Sequence, residues 1–568
     1  MLKKKIIAGL GAALALFAGC VPDESPSEPE PVPITPVSTA TALYNVDDGP
    51  IRQVGTVQDA ETTVTLSNLA GHSVYLVKVN RGSASVSAGR TGHAYTAGPA
   101  QNIRAASLPD WPASSGTSRY DGGAVGNGMV RRAHLEAQRY NSNPRLYGHG
   151  RSLAAPRSAG GTPQFTVASV NDTRQFHVEN AQGGWIQITA TLRAQSNKAN
   201  VWIPNESFDD SSGSATDNKI TTAQAEAMAN KFDIIYGYET PIFGFEYGGG
   251  SGGIYTGQPS GGVDGDPRVQ ILVYDIDYDA GVSKSSFVVG YFWGKDMEVG
   301  AHSNQAELFY MDSEATDNNP SLAYSTLVHE FQHMINFNRK YMLHDRASAT
   351  WFDEMLSMVA EDMISPLIGI PANDQGHPIQ GRVPPFLAVY DRAGITQWNT
   401  SNPLVSYSIA YSFGAYLARN YGGANLVKAI MDDNYVDDAA ISNGLTATGA
   451  ITGSSPFQDA LQHYGEALIF SGNRKPSGAK VFDTTSTVQI PSGTGATYTF
   501  SAFDIWNMEN PLTNQNGPVI WSLDWKFAMQ PYSIIVQSLN EWQNVTGDLR
   551  ITVNGPAINT VKLYLMVR

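Results

Sequence analysis

The pattern of hydrophobic and polar residues divides the chain into segments. Apolar and polar residues alternate over 62–80 around a glycine-containing turn, which predicts a β-hairpin within a small all-β module over 41–90. Residues 91–161 have few periodic apolar positions, and we interpret them as a linker or pro-segment with one short helix at MVRRAHLEAQRY. Short apolar runs separated by turn residues over 481–568 predict a C-terminal β-sandwich.

Residues 162–480 mix strand and helix patterns, which predicts an α+β domain between the two β modules. GGWIQITATL and RVQILVYDID have the apolar character of strands, and TTAQAEAMANKFDIIYGY has helical periodicity after a threonine cap. The run QAELFYMD, at 305–312, predicts another strand. This strand either lies at a sheet edge, where it would bind an extended substrate through backbone hydrogen bonds, or lies in the interior.

The first 20 residues have the pattern of a signal peptide. Three lysines precede an apolar segment over 6–17, which is too short to span a membrane permanently. The segment ends in LFAGC, which resembles a bacterial lipoprotein signal, so we expect Cys20 to be lipidated and to anchor the chain to a bacterial membrane. The outer membrane or cell surface is the expected location, and the Pro/Glu/Ser-rich residues 21–40 form a spacer. An ordinary cleaved signal is the alternative.

Charge and cysteine content limit the possible functions. The formal net charge of -15 argues against binding to nucleic acid, whose phosphates would be repelled. Cys20 is the only cysteine of the 568 residues, so the chain forms no internal disulfide. A bound metal must therefore be held by histidine, aspartate or glutamate side chains.

The stretch LVHEFQHMINF, at 327–337, contains His329-Glu330-x-x-His333. Asn319-Pro320 provides an N-cap followed by proline at the first helical position, so this stretch is expected to be helical. Residues four apart lie on one face of a helix, and the two imidazoles can bind one Zn²⁺ ion. Glu330 lies close enough to act as general base on a water molecule without binding the metal.

A catalytic zinc needs a third protein ligand. The candidates are His344, beyond the helix, and Glu354, in the second helical stretch ATWFDEMLSMVAED with Thr350 as its expected N-cap. A third histidine after the motif would be reached through a glycine turn. The sequence has no such turn after His333, which favours Glu354 as the third ligand. On that second helix Ser357 and Glu361 share a face with Glu354 and could support the ligands.

HEFQHMINFN, followed about twenty residues later by WFDEMLSMVAED, resembles the hyicolysin-type (M30) family of secreted zinc metallopeptidases. The lipoprotein signal and LSNLAGHSVYLVKVN resemble spirochaetal members of that group. The resemblance implies a zincin-like domain in which His329, His333 and Glu354 bind zinc and Glu330 is the general base. In related zinc peptidases an aspartate often lies four residues after the ligand glutamate. Met358 has that position here, so Glu361 or Asp362 would take its role.

These features predict an extracytoplasmic zinc endopeptidase that acts on protein or peptide substrates. The tetrahedral oxyanion needs a donor besides zinc, for which SYSIAYSFGAYLARNYGG offers Tyr407 and Tyr411, with Tyr411 preferred. The alternative function is a surface lipoprotein that binds a host or envelope protein without cutting it. An intact Glu330 favours the enzyme, because a binding protein needs no base beside the metal.

Three further candidates are weaker. Ser251 lies in GGSGG, but a glycine-rich loop follows where a serine hydrolase needs a helix. Trp521 and Trp525 share one strand face, which favours a place in the core over a sugar- or peptide-binding platform. Clustered aspartates could bind Ca²⁺, although solvated turns also explain them; they are Asp264, Asp266, Asp275, Asp277 and Asp279.

Overall fold

The computed structural model describes residues 41–45, 51–57, 61–67, 72–95, 132–147 and 167–568, except for 181, 212–217, 277, 279–287, 473–474, 492, 522–527, 540–546 and 555–557. The predicted signal peptide, Cys20 and the spacer lie outside the described residues. In the described part of the chain, no helix combines the length and apolar character needed to cross a membrane.

The middle of the chain has strands and one long helix over 173–312 and then helices over 313–470, and strands predominate at both ends. The strands are β1 (Thr41–Asn45), β2 (Ile51–Val57), β3 (Glu61–Ser67), β4 (Val74–Asn80), β5 (Val86–Ser87), β6 (Arg90–Tyr95), β7 (Thr173–Glu179), β8 (Trp185–Gln195), β9 (Ala199–Pro204), β10 (Val269–Tyr274), β11 (Gly290–Phe292), β12 (Leu308–Asp312), β13 (Ser486–Gln489), β14 (Thr497–Phe500), β15 (Glu509–Asn510), β16 (Gln515–Asn516), β17 (Ala528–Met529), β18 (Ser533–Ser538), β19 (Gly547–Asn554) and β20 (Ile558–Val567). The helices are α1 (Arg132–Ser142), α2 (Thr222–Phe243), α3 (Ser313–Asn318), α4 (Pro320–Asn336), α5 (Thr350–Ile364), α6 (Pro378–Val389), α7 (Pro403–Asn420), α8 (Ala424–Asp432), α9 (Asp438–Ala447) and α10 (Pro456–Phe470). The predicted α+β class is confirmed.

The central domain contains a six-stranded sheet in the order β11-β12-β10-β9-β8-β7. β10 pairs in parallel with β9 and β12, and all residues of these three strands are buried, as expected for parallel strands covered on both faces. β12 contains most of the run 305–312, so this run forms an interior strand. The edge strand next to β12 is β11, and β7 is the edge strand at the other side of the sheet.

Helix α4 packs against β11 and β12 of this sheet, α5 packs against α4, and α7 packs against α5. Phe331 of α4 packs against Phe232 and Tyr236 of α2, with ring centroids 4.9 and 5.3 Å apart. Gly414 of α7 allows a close approach to α5, because a Cβ atom there would lie 2.6 Å from the Val359 side chain. Close packing thus holds α4 against α2 and α5 against α7.

The N-terminal and C-terminal strands pair with each other. β4 lies between β18 and β20 in one four-stranded sheet, and β3 lies between β1 and β19 in another. The hairpin predicted over 62–80 is therefore wrong, because its two strands belong to different sheets. Strands from the two β modules predicted from the sequence thus share these two sheets, whereas β13 to β16 form two separate pairs. The alternation of residues reports which face of a strand is buried, but not which distant strand supplies its hydrogen bonds.

Candidate metal centre

Helix α4 carries both histidines and Glu330 on its buried surface. It begins at Pro320, and the Asn319 side chain accepts a hydrogen bond from the Leu322 amide, as the sequence predicts. His329 and His333 lie one turn apart, with ring centroids 4.7 Å apart. A π-helical turn over Phe337–Met342 continues the helix, so the structure has no glycine turn after His333.

Helix α5 brings Glu354 to the same point. Its Oε2 atom lies 3.1 Å from His329 Nε2 and 3.5 Å from His333 Nε2. The ligand atoms of the three residues lie within 4.8 Å of one another, and they form the only group of this kind among the described residues. His344, the alternative third ligand, does not belong to it. Helix α5 begins at Thr350 itself and has no side-chain cap, so the predicted Thr350 cap is wrong.

The charges of this group suit a cation. Burial alone would raise the pKa of Glu354, but His333 and hydrogen bonds from both imidazoles hold it far below its usual value. Burial lowers the pKa of His329, but hydrogen bonds with Glu354 and Glu361 outweigh it and raise the value to about 9. The buried carboxylates thus favour positive charge at this point. Two imidazole nitrogens and a carboxylate oxygen are also a donor set that Zn²⁺ accepts, so the residues present fit the metal.

Each histidine is oriented by a hydrogen bond at its other ring nitrogen. His329 Nδ1 lies 2.6 Å from Glu361 Oε1, and Ser325 donates to the other oxygen of Glu361. His333 Nδ1 lies 3.0 Å from Asp353 Oδ1 and 3.1 Å from Ser357 Oγ. Glu361 therefore takes the role left open by Met358. Asp353 was not predicted as a partner of His333, and its position directly before Glu354 is its only local signal.

Asp362, the other candidate for that role, lies in a separate buried network. It forms a bidentate ion pair with Arg419, at 2.7 and 3.0 Å. Tyr411 donates its hydroxyl hydrogen to Asp362 at 2.9 Å. Tyr411, which the sequence favoured as the oxyanion donor, therefore donates to a buried carboxylate outside the group of metal residues. Tyr407 lies at the metal residues instead, with its hydroxyl 3.3 Å from Glu354 Oε1.

Glu330 lines a cleft next to the metal residues. The cleft is also bordered by His333 and Glu354. Burial raises the pKa of Glu330 to about 7, although the two neighbouring imidazoles act in the opposite direction. A carboxylate with a pKa near neutrality can take up and release a proton at physiological pH.

The other wall of this cleft comes from α1, which the sequence analysis predicted as a helix without assigning it to the site. The Gln138 amide donates a hydrogen bond of 2.6 Å to Glu354 Oε1. His134 Nε2 lies 3.0 Å from the Tyr407 hydroxyl. Nothing in the local sequence signals these contacts, because their partners lie more than 200 residues away.

The remaining candidates lie elsewhere. Ser251 is exposed in a loop followed by a short 3₁₀ turn at Gly253–Tyr255, not by a helix. Trp521 is buried and donates to Asp391, so its predicted place in the core is confirmed. Asp264 pairs with Arg174 at 3.5 Å, and Asp266 accepts from Asn200 at 2.9 Å. Asp277, Asp279 and Trp525 lie outside the described residues.

Two helices thus form a buried centre of two histidines and one carboxylate, with Glu330 beside it. Two histidines and one carboxylate are a donor set used by metal-dependent hydrolases. The family model for peptidase M30 matches residues 186–504, so the chain belongs to this family and the predicted resemblance is confirmed. A curated relative is the neutral metalloprotease ShpI of Staphylococcus hyicus, 30% identical over 292 residues. The match covers 49% of this chain and 58% of the relative.

Proposed function

We propose that the protein is an extracytoplasmic zinc-dependent endopeptidase that hydrolyses peptide bonds of protein or peptide substrates. The observation that carries this proposal is the convergence of His329 Nε2, His333 Nε2 and Glu354 Oε2. Glu330, on the same helix as the two histidines, lines the adjoining cleft. Family membership and the metalloprotease relative support a metal-dependent peptidase. The order of helix α4, helix α5 and the sheet supports a zincin-like arrangement.

Each residue of the site has a separate role in the proposed hydrolysis. Zinc, when bound, polarises the scissile carbonyl and lowers the pKa of the attacking water. Glu330 takes the proton of this water and passes it to the leaving amine. The Tyr407 hydroxyl donates a hydrogen bond to the oxyanion that develops on the carbonyl oxygen. Glu361 and Asp353 hold the two imidazoles in the orientation that directs Nε2 at the metal.

The location of the protein is part of the proposal and rests on the sequence. The apolar segment followed by LFAGC supports a lipid anchor on Cys20, with the domain displayed outside the cytoplasm. Calcium binding by the aspartates near β10 remains a prediction.

The test compares metal content and peptide hydrolysis in the full chain and three variants. Glu354→Ala should lose most of its zinc, because it removes one of the three ligands. Glu330→Gln should keep about one zinc per chain and lose turnover by several orders of magnitude. Glu226→Gln, which alters an exposed carboxylate on α2, is the control for both.

The same variants separate the enzyme from a non-catalytic binding protein. A wild-type chain that holds zinc but cleaves no peptide would favour the binding protein. A chain without zinc, even after reconstitution, would refute the metal site itself.

A further inference from the structure

Helix α1 makes polar contacts with the residues that the proposed reaction uses. The carboxamide of Gln138 donates to Glu354 Oε1, the oxygen that faces away from the two histidines. The same amide also donates to the Tyr407 hydroxyl, and His134 Nε2 lies 3.0 Å from that hydroxyl. Two groups of the proposed machinery, Glu354 and Tyr407, are therefore bonded to side chains of α1.

A second contact occupies the edge of the sheet. The Asn141 side chain donates from Nδ2 to the Phe292 carbonyl at 3.0 Å and accepts at Oδ1 from the Gly294 amide at 2.8 Å. One side-chain amide thus pairs with the last backbone carbonyl of the edge strand β11 and with a backbone N–H two residues further on. An extended peptide bound along this edge would present the same donor and acceptor. Asn141 hence takes up two backbone hydrogen-bonding groups that a peptide substrate would otherwise use.

The position of α1 in the cleft agrees with these contacts. Five of the twelve residues that line the cleft belong to α1, and Glu330, His333 and Glu354 form the opposite wall. The helix is docked through buried Leu135, Ala137 and Tyr140, and the Tyr140 hydroxyl donates to Glu298 at 2.8 Å. A peptide that reached Glu330 and paired with Phe292 would overlap Gln138 and Asn141.

From these contacts we infer that α1 is an intramolecular inhibitor, which competes with peptide substrates and must leave the cleft before hydrolysis. This inference rests on the proposed peptidase function. Gln138 and Asn141 act as substitutes for substrate polar groups, so weakening them exposes the cleft. The apparent affinity for a substrate or inhibitor is the intrinsic affinity multiplied by the fraction of molecules in which α1 has left the cleft.

The experiment uses the full chain with Gln138→Ala and Asn141→Ala combined. The control is Arg139→Ala, an exposed residue of the same helix whose side chain pairs with Glu136. We expect the double variant to bind a peptide hydroxamate on the order of tenfold more tightly than wild type, as measured by calorimetry, and to show a similar gain in kcat/KM. The control should match wild type.

Hydrogen exchange of residues 132–142 provides a readout that does not depend on turnover. If α1 competes with the ligand, saturating hydroxamate should increase exchange across this helix in the wild-type chain. Decreased exchange on binding, or weaker hydroxamate binding by the double variant, would overturn the inference and make α1 a permanent wall of the substrate site.

Failure of the peptidase proposal gives a different result. In that case neither wild type nor the double variant would cleave peptides, although both would hold zinc. Hydroxamate affinity and helix exchange would still decide whether α1 competes for the cleft.

Discussion

The Nδ1 atom of His329 lies 2.6 Å from Oε1 of Glu361, a contact that joins the motif helix α4 to α5 on the side away from the ligand atoms. The Ser325 hydroxyl holds the second oxygen of Glu361 at 2.8 Å, so both carboxylate oxygens have partners. A carboxylate in this position fixes the tautomer of the imidazole and increases its basicity. The relationship makes Glu361 a positioning residue for the metal centre.

Replacing Glu361 with Gln should therefore weaken zinc binding by roughly 10- to 100-fold. The amide can still orient His329, but it lacks the negative charge by which the carboxylate increases the basicity of the imidazole. Competition with a chromophoric chelator measures the affinity. The exposed variant Glu226→Gln should bind zinc like the wild type. An unchanged affinity in Glu361→Gln would mean that α4 packing alone orients the imidazole.

The two tyrosines of α7 predict opposite phenotypes. Tyr407→Phe removes a hydroxyl 3.3 Å from Glu354 Oε1 and should lower kcat by roughly 100-fold while zinc content stays at the wild-type level. Tyr411→Phe removes a donor to buried Asp362, so it should lower the thermal midpoint with little effect on kcat. Steady-state kinetics and thermal unfolding of both variants check the pair. A reversed pattern would restore Tyr411 as the oxyanion donor.

Gly414 determines how closely α7 approaches the helix that carries Glu354. A Cβ atom at this position would lie 2.7 Å from Met355 Cγ and 2.6 Å from Val359 Cγ2. Gly414→Ala should destabilise the fold by about 1–3 kcal/mol through overpacking, and it should also weaken zinc binding because Met355 adjoins Glu354.

Gly237→Ala on α2 is the matched control for Gly414→Ala. Among the described residues its Cβ would meet only Thr494 Cγ2, at 3.4 Å, so a small gain in stability is expected from helix propensity. Urea unfolding and zinc titration of both variants make the comparison. Equal free energies of unfolding in the two variants would mean that α5 and α7 can move apart at Gly414 without loss of stability.

Asp391 predicts a pH dependence of stability. Its complete burial raises its pKa from 3.8 to about 6 even though Trp521 donates to it. The folded chain holds this proton more tightly than the unfolded chain, so the stabilisation is fully present below pH 4 and is lost as the pH rises through 6. The shift corresponds to about 3 kcal/mol.

Asp391→Asn tests this dependence, because the amide keeps an acceptor for Trp521 and does not ionise. The stability of the wild type relative to this variant should fall by about 3 kcal/mol between pH 4 and pH 8, as measured by urea unfolding. The stability of the wild type relative to the control variant Glu226→Gln should not change in this way between pH 4 and pH 8. A constant difference would mean that Asp391 does not change its protonation in this range.

The sequence was sufficient where the relevant geometry is local. The spacing of His329 and His333 places both on one helix face, and Asn319-Pro320 determines where that helix begins. The α+β class also follows from patterns within short windows, and Glu354 could be proposed because it lies on the next helix.

Only the tertiary structure decided which groups far apart in the sequence meet. It shows that Glu361, and not Asp362, contacts His329, and that Tyr407, and not Tyr411, lies at Glu354. It also shows that β11, and not β12, is an edge of the sheet. It also paired β4 with β18 and β20, and it brought Gln138 to Glu354. Helical periodicity and strand alternation report which face of an element is buried, but the partner on that face depends on packing across hundreds of residues.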